Sequence, residues 1–207
     1  MSDATSCMPD PQLRARLGAA RVAIIGCGGL GSNVAAMILR SGVRTLTLID
    51  FDTVAEDNLN RQMFFRDQIG RLKTEALAET LLRIDPEAEL RLITSRISSA
   101  DLIETVRDAD VIAEAVDTAE TKAMIVDLCT RDLPETPLVT VSGLAGYASA
   151  NRIVTERLAD NLTVVGDLES DIRDGLSLLA SRVMVASAHQ AHAIIRILLE
   201  CEDDEDE

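Results

Sequence analysis

The chain has 207 residues and a net charge of −15, and 47% of its residues are hydrophobic while only 2% are aromatic. This hydrophobic content excludes a disordered chain and predicts a single domain, residues 1–207, with an aliphatic core. The acidic charge argues against binding nucleic acid through its phosphates. No apolar run approaches the ~20 residues of a membrane span, so no membrane partner is expected.

The two ends of the chain are polar. Residues 1–12 lack the basic and apolar segments of a signal peptide, so they are expected to be flexible and the protein to be cytoplasmic. Seven acidic residues within 200–207 predict a solvated tail. Neither a disulfide framework nor a zinc site is expected, because the four cysteines are scattered and form no C-x-x-C pair. They are Cys7, Cys27, Cys129 and Cys201.

The most informative pattern is RVAIIGCGGLGS at residues 21–32, which follows a short predicted helix at 13–20. A continuous apolar run predicts a buried strand, three glycines follow in G-x-G-x-x-G spacing, and a helix is predicted over 33–40. In such a unit Gly26 permits a tight turn, Gly28 lets the backbone approach a phosphate and Gly31 lets the helix pack closely. The N-terminus of the helix attracts the anion.

The next predicted strand, 45–49, ends at Asp50. Gly31 and Asp50 are about 19 residues apart, close to the spacing of a ribose-binding carboxylate. The pattern therefore predicts a mononucleotide or dinucleotide site, and its alternative is a tight turn that binds nothing. Cys27, inside the turn, is expected to be a small side chain that fills the loop.

The remaining chain alternates between strand and helix patterns. Helices are predicted at 76–84, 101–106, 120–130 and 183–199, and strands at 90–93, 111–115, 138–141, 149–156 and 162–165. The last two strands are expected to be antiparallel. The alternation predicts an α/β fold of the Rossmann type, with a doubly wound, mainly parallel sheet and an antiparallel or mixed edge.

Four polar residues are candidates for the chemistry. The connection at 51–65 is longer than an ordinary strand-to-helix link, which indicates a functional role. Asn58, Arg61 and Lys73 are expected to converge above the glycine turn as donors to a polyphosphate. Asp117 follows a strand end and is expected to hold Mg²⁺. The alternatives are surface charges for Arg61 and Lys73 and a helix cap for Asp117.

The motifs GCGGLGS at 26–32, LIDFD at 48–52 and DNLNRQ at 57–62 occur in this order, followed by Lys73 and Asp117. Together they resemble the ThiF/MoeB/HesA family of adenylating enzymes, bacterial relatives of the ubiquitin-activating enzymes. The resemblance runs from about residue 13 to residue 199. Within the family, the segments EAVDTAETKAM and SGLAGYASAN are most similar to the short ThiF branch of thiamine biosynthesis, which lacks zinc.

The resemblance implies an adenylyltransferase that uses ATP and Mg²⁺. Its substrate would be the C-terminal glycine carboxylate of a ubiquitin-like sulfur carrier of the ThiS type, and the enzyme would be a homodimer. By the same resemblance Gly28 and Gly29 approach the phosphates and Asp50 binds the ribose. Asn58, Arg61 and Lys73 contact the phosphates, and Asp117 holds Mg²⁺.

The chain also departs from the longer members of the family. Residues 130–200 contain no cysteine for a covalent link to the carrier, and Thr118 and Lys122 stand where Asn and Arg are usual. Arg14 and Arg16 are the only candidates for an arginine that enters a partner subunit's site. His189 and His192 share a helix face and are expected to pack at a dimer or domain surface.

Two other functions remain open from the sequence. One is adenylation of a different acyl partner, such as a molybdopterin carrier, a peptide or a tRNA-linked carboxylate. The other is a non-catalytic module that senses a nucleotide, because the glycine turn and Asp50 alone fit NAD as well as ATP. The roughly 65 residues after the strand at 138–141 are too few for the separate catalytic domain of a typical dehydrogenase.

Overall fold

The computed structural model describes residues 10–201, which form one seven-stranded sheet with helices on both faces. The strands are β1 (Arg21–Ile25), β2 (Thr45–Ile49), β3 (Glu89–Ile93), β4 (Val111–Glu114), β5 (Leu138–Val141), β6 (Val154–Ala159) and β7 (Leu162–Gly166). The helices are α1 (Pro11–Ala19), α2 (Gly29–Ser41), α3 (Lys73–Leu82), α4 (Leu102–Val106), α5 (Ala119–Asp132) and α6 (Ala180–Leu198).

The strand order is β3-β2-β1-β4-β5-β7-β6. Every neighbouring pair is parallel except β6 and β7, which are antiparallel. The predicted fold class is therefore confirmed, including the antiparallel edge. The strand order reverses between β1 and β4, and ligands of open α/β sheets bind outside the carboxyl ends of the strands at such a point.

Helices cover both faces of the sheet, and apolar side chains form a core on each face. One core cluster joins the strands to α1, α2, α3 and α6, and a second joins them to α4 and α5 on the opposite face. All four residues of β4 and of β5 are buried, as expected of central parallel strands. β6 is exposed at every position because it is the edge strand and carries polar side chains.

Several element boundaries differ from the predicted ones. α1 begins at Pro11 rather than residue 13, because Asp10 Oδ1 accepts a hydrogen bond from the Gln12 amide at 2.7 Å, so residues 10–12 are ordered by a helix cap. The predicted strand at 149–156 starts with a 3₁₀ turn, Ala150–Arg152, and only then becomes β6.

The helix after the glycine turn also differs at its start. α2 begins at Gly29 and not at residue 33, and it ends before Gly42, whose φ of +114° is the left-handed conformation of a C-cap glycine. The predicted flexible residues 1–9, which include Cys7, and the acidic residues 202–207 lie outside the described part of the chain. Within residues 10–201, no helix is long and apolar enough to cross a membrane.

Candidate nucleotide-binding site

The turn between β1 and α2 has no room for side chains at two of its glycines. Gly26 has a φ of +97°, and a Cβ on it would lie 2.6 Å from the Ala115 carbonyl oxygen. A Cβ on Gly31 would lie 1.8 Å from the Gly26 carbonyl oxygen. At Gly28 the nearest atom to such a Cβ is Gln62 Nε2, at 3.8 Å. The turn is therefore closed on the sheet side and open above Gly28, at the N-terminus of α2.

Asp50 connects this turn to the end of β2. Its Oδ2 accepts a hydrogen bond from the Cys27 amide at 2.7 Å, and its Oδ1 accepts one from the Asp52 amide at 2.8 Å. The carboxylate is half-buried and lies against the glycine turn, where the spacing of the sequence predicted it. Its role as the ribose ligand stays a prediction.

The long connection after β2 packs onto the start of α2. Asn33 Nδ2 donates to the Gly29 carbonyl oxygen at 2.6 Å and to the Arg61 carbonyl oxygen at 3.1 Å. The Met63 amide donates to Ser32 Oγ at 3.1 Å. These contacts hold residues 61–63 beside the glycine turn. Ser32 and Asn33 are therefore supporting residues that the sequence analysis did not identify, because their partners lie about 30 positions away.

Arg61 lies directly beside the turn. A Cβ on Gly29 would be 3.6 Å from Arg61 Cγ and 3.7 Å from its Cδ. The guanidinium donates to the Asp57 carbonyl oxygen at 3.1 Å and to Asn60 Oδ1 at 2.7 Å. Both acceptors are uncharged, so Arg61 has no carboxylate partner among its described hydrogen bonds. The Arg61 side chain therefore packs beside the turn without an ion-pair partner in residues 10–201.

Asn58 and Gln62 belong to the same segment but differ in their contacts. Asn58 Oδ1 accepts a hydrogen bond from the Ala55 amide at 3.1 Å, and its Nδ2 donates to Asp57 Oδ1 at 3.1 Å. The Asn58 amide group therefore caps a 3₁₀ turn. Gln62 Oε1, by contrast, is buried and has no hydrogen-bond partner within residues 10–201. Gln62 is the polar side chain nearest Gly28, and only its place in the DNLNRQ motif could have pointed to it.

Lys73 is the first residue of α3, and its side chain is 9% exposed. Its Nζ lies 2.9 Å from Asp52 Oδ2, and its amide donates to the Asp52 carbonyl oxygen at 2.9 Å. Because the Asp52 amide itself donates to Asp50, Lys73 is linked to the glycine turn through two carboxylates. The structure thus brings Lys73 to the site and adds Asp52 as its partner.

Asp117 lies at the carboxyl end of β4, the neighbour of β1. The Ala115 amide donates to the Ile25 carbonyl oxygen at 2.8 Å, which joins the two strand ends. Asp117 is exposed, and no hydrogen bond or ion pair involves its side chain within residues 10–201. Thr118, not Asp117, is the N-cap of α5, so the helix-cap alternative is wrong.

Cys27 fills the turn as a buried side chain. Its Sγ lies 4.0 Å from the Ile49 carbonyl oxygen. Burial raises the pKa of the Cys27 thiol well above its usual value, and the nearby Asp50 charge raises it further. Burial likewise raises the pKa of Cys129, to about 11. Both thiols stay protonated and are poor nucleophiles at neutral pH.

The two histidines, Arg14 and Arg16 lie away from the glycine turn. His189 Nδ1 is 3.0 Å from Thr155 Oγ1, a contact that joins α6 to β6, and His192 is exposed. Arg16 pairs with Glu200, and Arg14 is exposed on α1. Among residues 10–201 no three His, Cys, Asp or Glu side chains are grouped as metal ligands.

A recess lies at the carboxyl ends of β5 and β7. It has a volume of about 360 Å³, and Tyr147 at its rim is 87% exposed. Below it, Arg182 is 4% exposed, pairs with Asp167 and donates to the Ala148 and Ser149 carbonyl oxygens at 2.7 and 3.0 Å. The glycine turn and this recess therefore both lie at the carboxyl ends of the parallel strands.

The donor set fits a nucleoside triphosphate with its metal. The open space above Gly28, the α2 amides and the charges of Arg61 and Lys73 suit phosphate oxygens. Gln62 Oε1 is buried without a hydrogen-bond partner in residues 10–201, so it is available as an acceptor. The Asp117 carboxylate, which has no ion-pair partner there, is available as a metal ligand. A single carboxylate suits Mg²⁺, which usually takes its other ligands from phosphates and water.

Comparison with known proteins identifies the family of the chain. Residues 6–206 match the ThiF family. The chain is 33% identical over 168 residues to the tRNA threonylcarbamoyladenosine dehydratase of Haemophilus influenzae. The aligned residues cover 80% of this chain and 60% of that protein. It is 35% identical over 130 residues to the bovine adenylyltransferase and sulfurtransferase MOCS3, covering 62% of this chain and 28% of that protein.

Solved structures show the same fold. The Escherichia coli tRNA threonylcarbamoyladenosine dehydratase, in complex with ATP, superposes with a TM-score of 0.84 at 21% identity, covering 92% of this chain and 90% of that one. E. coli MccB with AMPCPP and MccA superposes with a TM-score of 0.72 at 24% identity, covering 93% and 60%. The chain spans about 60% of the length of the two dehydratases it matches in sequence. With the family match extending over nearly all of its residues, the chain belongs to the ThiF family.

Proposed function

We propose that the protein uses ATP to adenylate a carboxylate. The observation that carries this proposal is the open space above Gly28, which is bordered by the Arg61 side chain and linked through Asp50 and Asp52 to the buried Lys73. An anion in that space would meet the α2 amides and both cationic side chains. Nucleotide complexes of structures with this fold support the choice of ATP.

Each residue of the site would contact a different part of the nucleotide. The backbone at Gly28 and Gly29 would bind phosphates, together with the Arg61 side chain. Lys73 would separate from Asp52 and bind a phosphate as well. Asp50 would accept hydrogen bonds from the ribose hydroxyls. Asn58 would donate the second hydrogen of its Nδ2 group to a phosphate, because its Oδ1 and one Nδ2 hydrogen are already bonded within the 3₁₀ turn.

In the reaction, one oxygen of the acceptor carboxylate attacks the α-phosphorus of ATP. The bond from that phosphorus to the bridging oxygen breaks, and pyrophosphate leaves with the electron pair. The carboxylate needs no general base because it is ionised at neutral pH. Asp117 would hold Mg²⁺, which would supply neutralisation of the phosphate charge. The side chains contribute positioning and charge stabilisation, which are the main terms in phosphoryl-type transfers.

The acyl partner that we favour is the C-terminal carboxylate of a small protein or peptide. The recess lies at the carboxyl ends of the parallel strands, as the proposed nucleotide site does, and would admit a chain terminus there. The net charge of −15 opposes binding of a polyanion such as tRNA. A ThiS-like carrier in thiamine biosynthesis is one such partner and, like the homodimer, stays a prediction.

A tRNA-linked carboxylate is the second candidate. It is favoured by the names of two curated relatives, the dehydratases of H. influenzae and E. coli, which are 33% and 30% identical to this chain. Those proteins are longer than this chain, so any surface for tRNA in their additional parts would have no counterpart among these 207 residues.

The test is ATP–pyrophosphate exchange with a panel of acceptors. The panel contains a ThiS-type carrier ending in Gly-Gly, the same carrier with a C-terminal amide, a free peptide and tRNA carrying threonylcarbamoyladenosine. We expect Mg²⁺-dependent exchange with an unblocked protein or peptide terminus only. Exchange with the tRNA alone would move the assignment to the second candidate, and no exchange with any acceptor would overturn the proposal.

Arg61→Ala and Arg66→Ala form a matched pair for the same assay. We expect Arg61→Ala to lower kcat/KM by about 100-fold, the size of effect seen when one charge-stabilising donor is removed. Arg66 lies in the same connection but is 80% exposed and pairs with Glu56, so Arg66→Ala should leave the rate unchanged. Equal rates for both variants would contradict the role of Arg61 at the phosphates. Tighter binding of NAD than of ATP without Mg²⁺ would instead favour the nucleotide-sensing alternative.

A further inference from the structure

A buried carboxylate lies three residues before Asp117 and has no role in the proposed reaction. Glu114, the last residue of β4, has no exposed surface. Its Oε1 accepts a hydrogen bond from the Val116 amide at 2.8 Å, and its Oε2 contacts Lys122 Nζ and Thr140 Oγ1. Both oxygens of the carboxylate thus accept hydrogen bonds from the protein.

The same strand end is tied to the last helix. Gln190 Nε2, on α6, donates to the carbonyl oxygens of Glu114 and Val139, each at 2.9 Å. One amide group therefore bridges β4 and β5. With Lys122 on α5 and Thr140 on β5, three elements fix the end of β4.

The loop that follows β4, residues 115–118, touches the glycine turn. A Cβ on Gly26 would lie 2.6 Å from the Ala115 carbonyl oxygen and 3.1 Å from the Val116 nitrogen. The Val116 amide is the group that Glu114 holds. A change at Glu114 would therefore shift the loop relative to the glycine turn and move Asp117 with it.

We infer that Glu114 is a positioning residue that, with Lys122 and Thr140, fixes loop 115–118 and so sets where Asp117 stands beside the glycine turn. Stability alone is a weak reason for such a group, because replacing a buried ion pair with apolar residues is often neutral or stabilising. An apolar residue at 114 would, however, leave the Val116 amide without its acceptor. This inference rests on the proposed function only for the part played by Asp117.

The experiment compares Glu114→Met and Glu114→Gln with the control Arg131→Met. Methionine removes both acceptor oxygens at similar length, whereas glutamine keeps one for Val116. Arg131→Met breaks an exposed ion pair with Asp127 on the same helix. The readouts are hydrogen exchange of loop 115–118 by mass spectrometry, the Mg²⁺ concentration for half-maximal pyrophosphate exchange, and ATP binding without Mg²⁺.

For Glu114→Met we expect loop exchange and the Mg²⁺ requirement each to rise by about ten-fold, the ratio for one lost hydrogen bond of ordinary strength. Glu114→Gln should give a smaller rise, and Arg131→Met none. ATP binding without Mg²⁺ should change by less than about two-fold in all three, because the glycine turn itself is intact.

Wild-type loop exchange and a wild-type Mg²⁺ requirement in Glu114→Met would overturn the inference. If that variant fails to fold, the same measurements are made on Glu114→Gln and Thr140→Val, since each removes part of the contacts among Glu114, Lys122 and Thr140. If the wild-type protein adenylates no acceptor, the proposed function fails, while hydrogen exchange of loop 115–118 still decides whether Glu114 fixes it.

Discussion

The two sides of the glycine turn each hold a lysine in an ion pair, but in opposite arrangements. Lys73 and Lys122 are the only lysines of the chain. In the pair on the β2 side, the Lys73 side chain is 9% exposed and its partner Asp52 is 46% exposed. In the pair on the β4 side, Lys122 is 25% exposed and its partner Glu114 has no exposure. Solvent thus reaches the anion of the first pair and the cation of the second.

This difference predicts different roles for the two pairs. A carboxylate that faces water separates from its lysine at little cost, so a phosphate can replace Asp52 at Lys73. A buried carboxylate has no such alternative, so Glu114 keeps Lys122 in place. We therefore expect Lys73 to act on the substrate and Lys122 to act on the framework.

The largest expected effect is on activity at Lys73. Lys73→Ala should lower kcat for ATP–pyrophosphate exchange by about 10²–10³-fold, because it removes a charge already positioned for the developing phosphate charge. The matched control is Arg71→Ala, which breaks the exposed Arg71–Glu79 pair two residues away and should leave kcat unchanged. A Lys73→Ala enzyme with wild-type kcat would remove the distinction between the two lysines.

The next effect is on stability at Lys122. Lys122→Met leaves the buried Glu114 carboxylate without its cation and should lower the free energy of unfolding by about 3 kcal/mol, the low end for a broken buried pair. Lys73→Met should cost less than about 1 kcal/mol, because the carboxylate that it leaves unpaired, Asp52, has nearly half of its side chain in water. Urea unfolding of both variants measures the difference, and equal losses would contradict it.

The smallest effect is in the pH dependence of a third pair, Asp167 and Arg182, in which both side chains are buried. Burial raises the pKa of Asp167, but hydrogen bonds from Ser170 and Glu169 and the Arg182 charge together hold it below its ordinary value of 3.8. A carboxylate with a lowered pKa contributes stability above the unfolded-state pKa and loses it as the pH falls through the folded-state pKa.

Asp167→Asn should therefore flatten the loss of stability that the wild-type protein shows as the pH falls below about 4. Urea unfolding between pH 3 and pH 7 measures this slope. Asp171→Asn is the comparison, since Asp171 also has a lowered pKa but hydrogen-bonds to the exposed Arg173. An unchanged slope in Asp167→Asn would show that other carboxylates dominate acid unfolding.

The parts of the fold that the sequence predicts best are local. β1, the turn at Gly26 and α2 follow one another, so an apolar run and three glycines specify them without distant contacts. The insertion of β7 between β5 and β6 is set by packing between distant segments, so no local pattern indicates it.

The candidate site shows the same limit. Arg61, Lys73 and Asp117 are predicted by residue type and order, and the structure places Arg61 beside the glycine turn, Lys73 next to Asp52 and Asp117 at the end of β4. Glu114 was not identified because it reads as one residue of an apolar strand, and its partners are 8 and 26 positions away.

The contact between Arg16 and Glu200 brings the first and last described helices together at one end of the molecule. α1 leads into the amino end of β1, whereas the glycine turn lies at the carboxyl end, about five residues or ~17 Å along the strand. A fluorescent label or a surface tether attached near residue 16 or 200 would therefore sit at the opposite pole from the nucleotide. Such an attachment would report on or immobilise the protein while leaving its opening accessible.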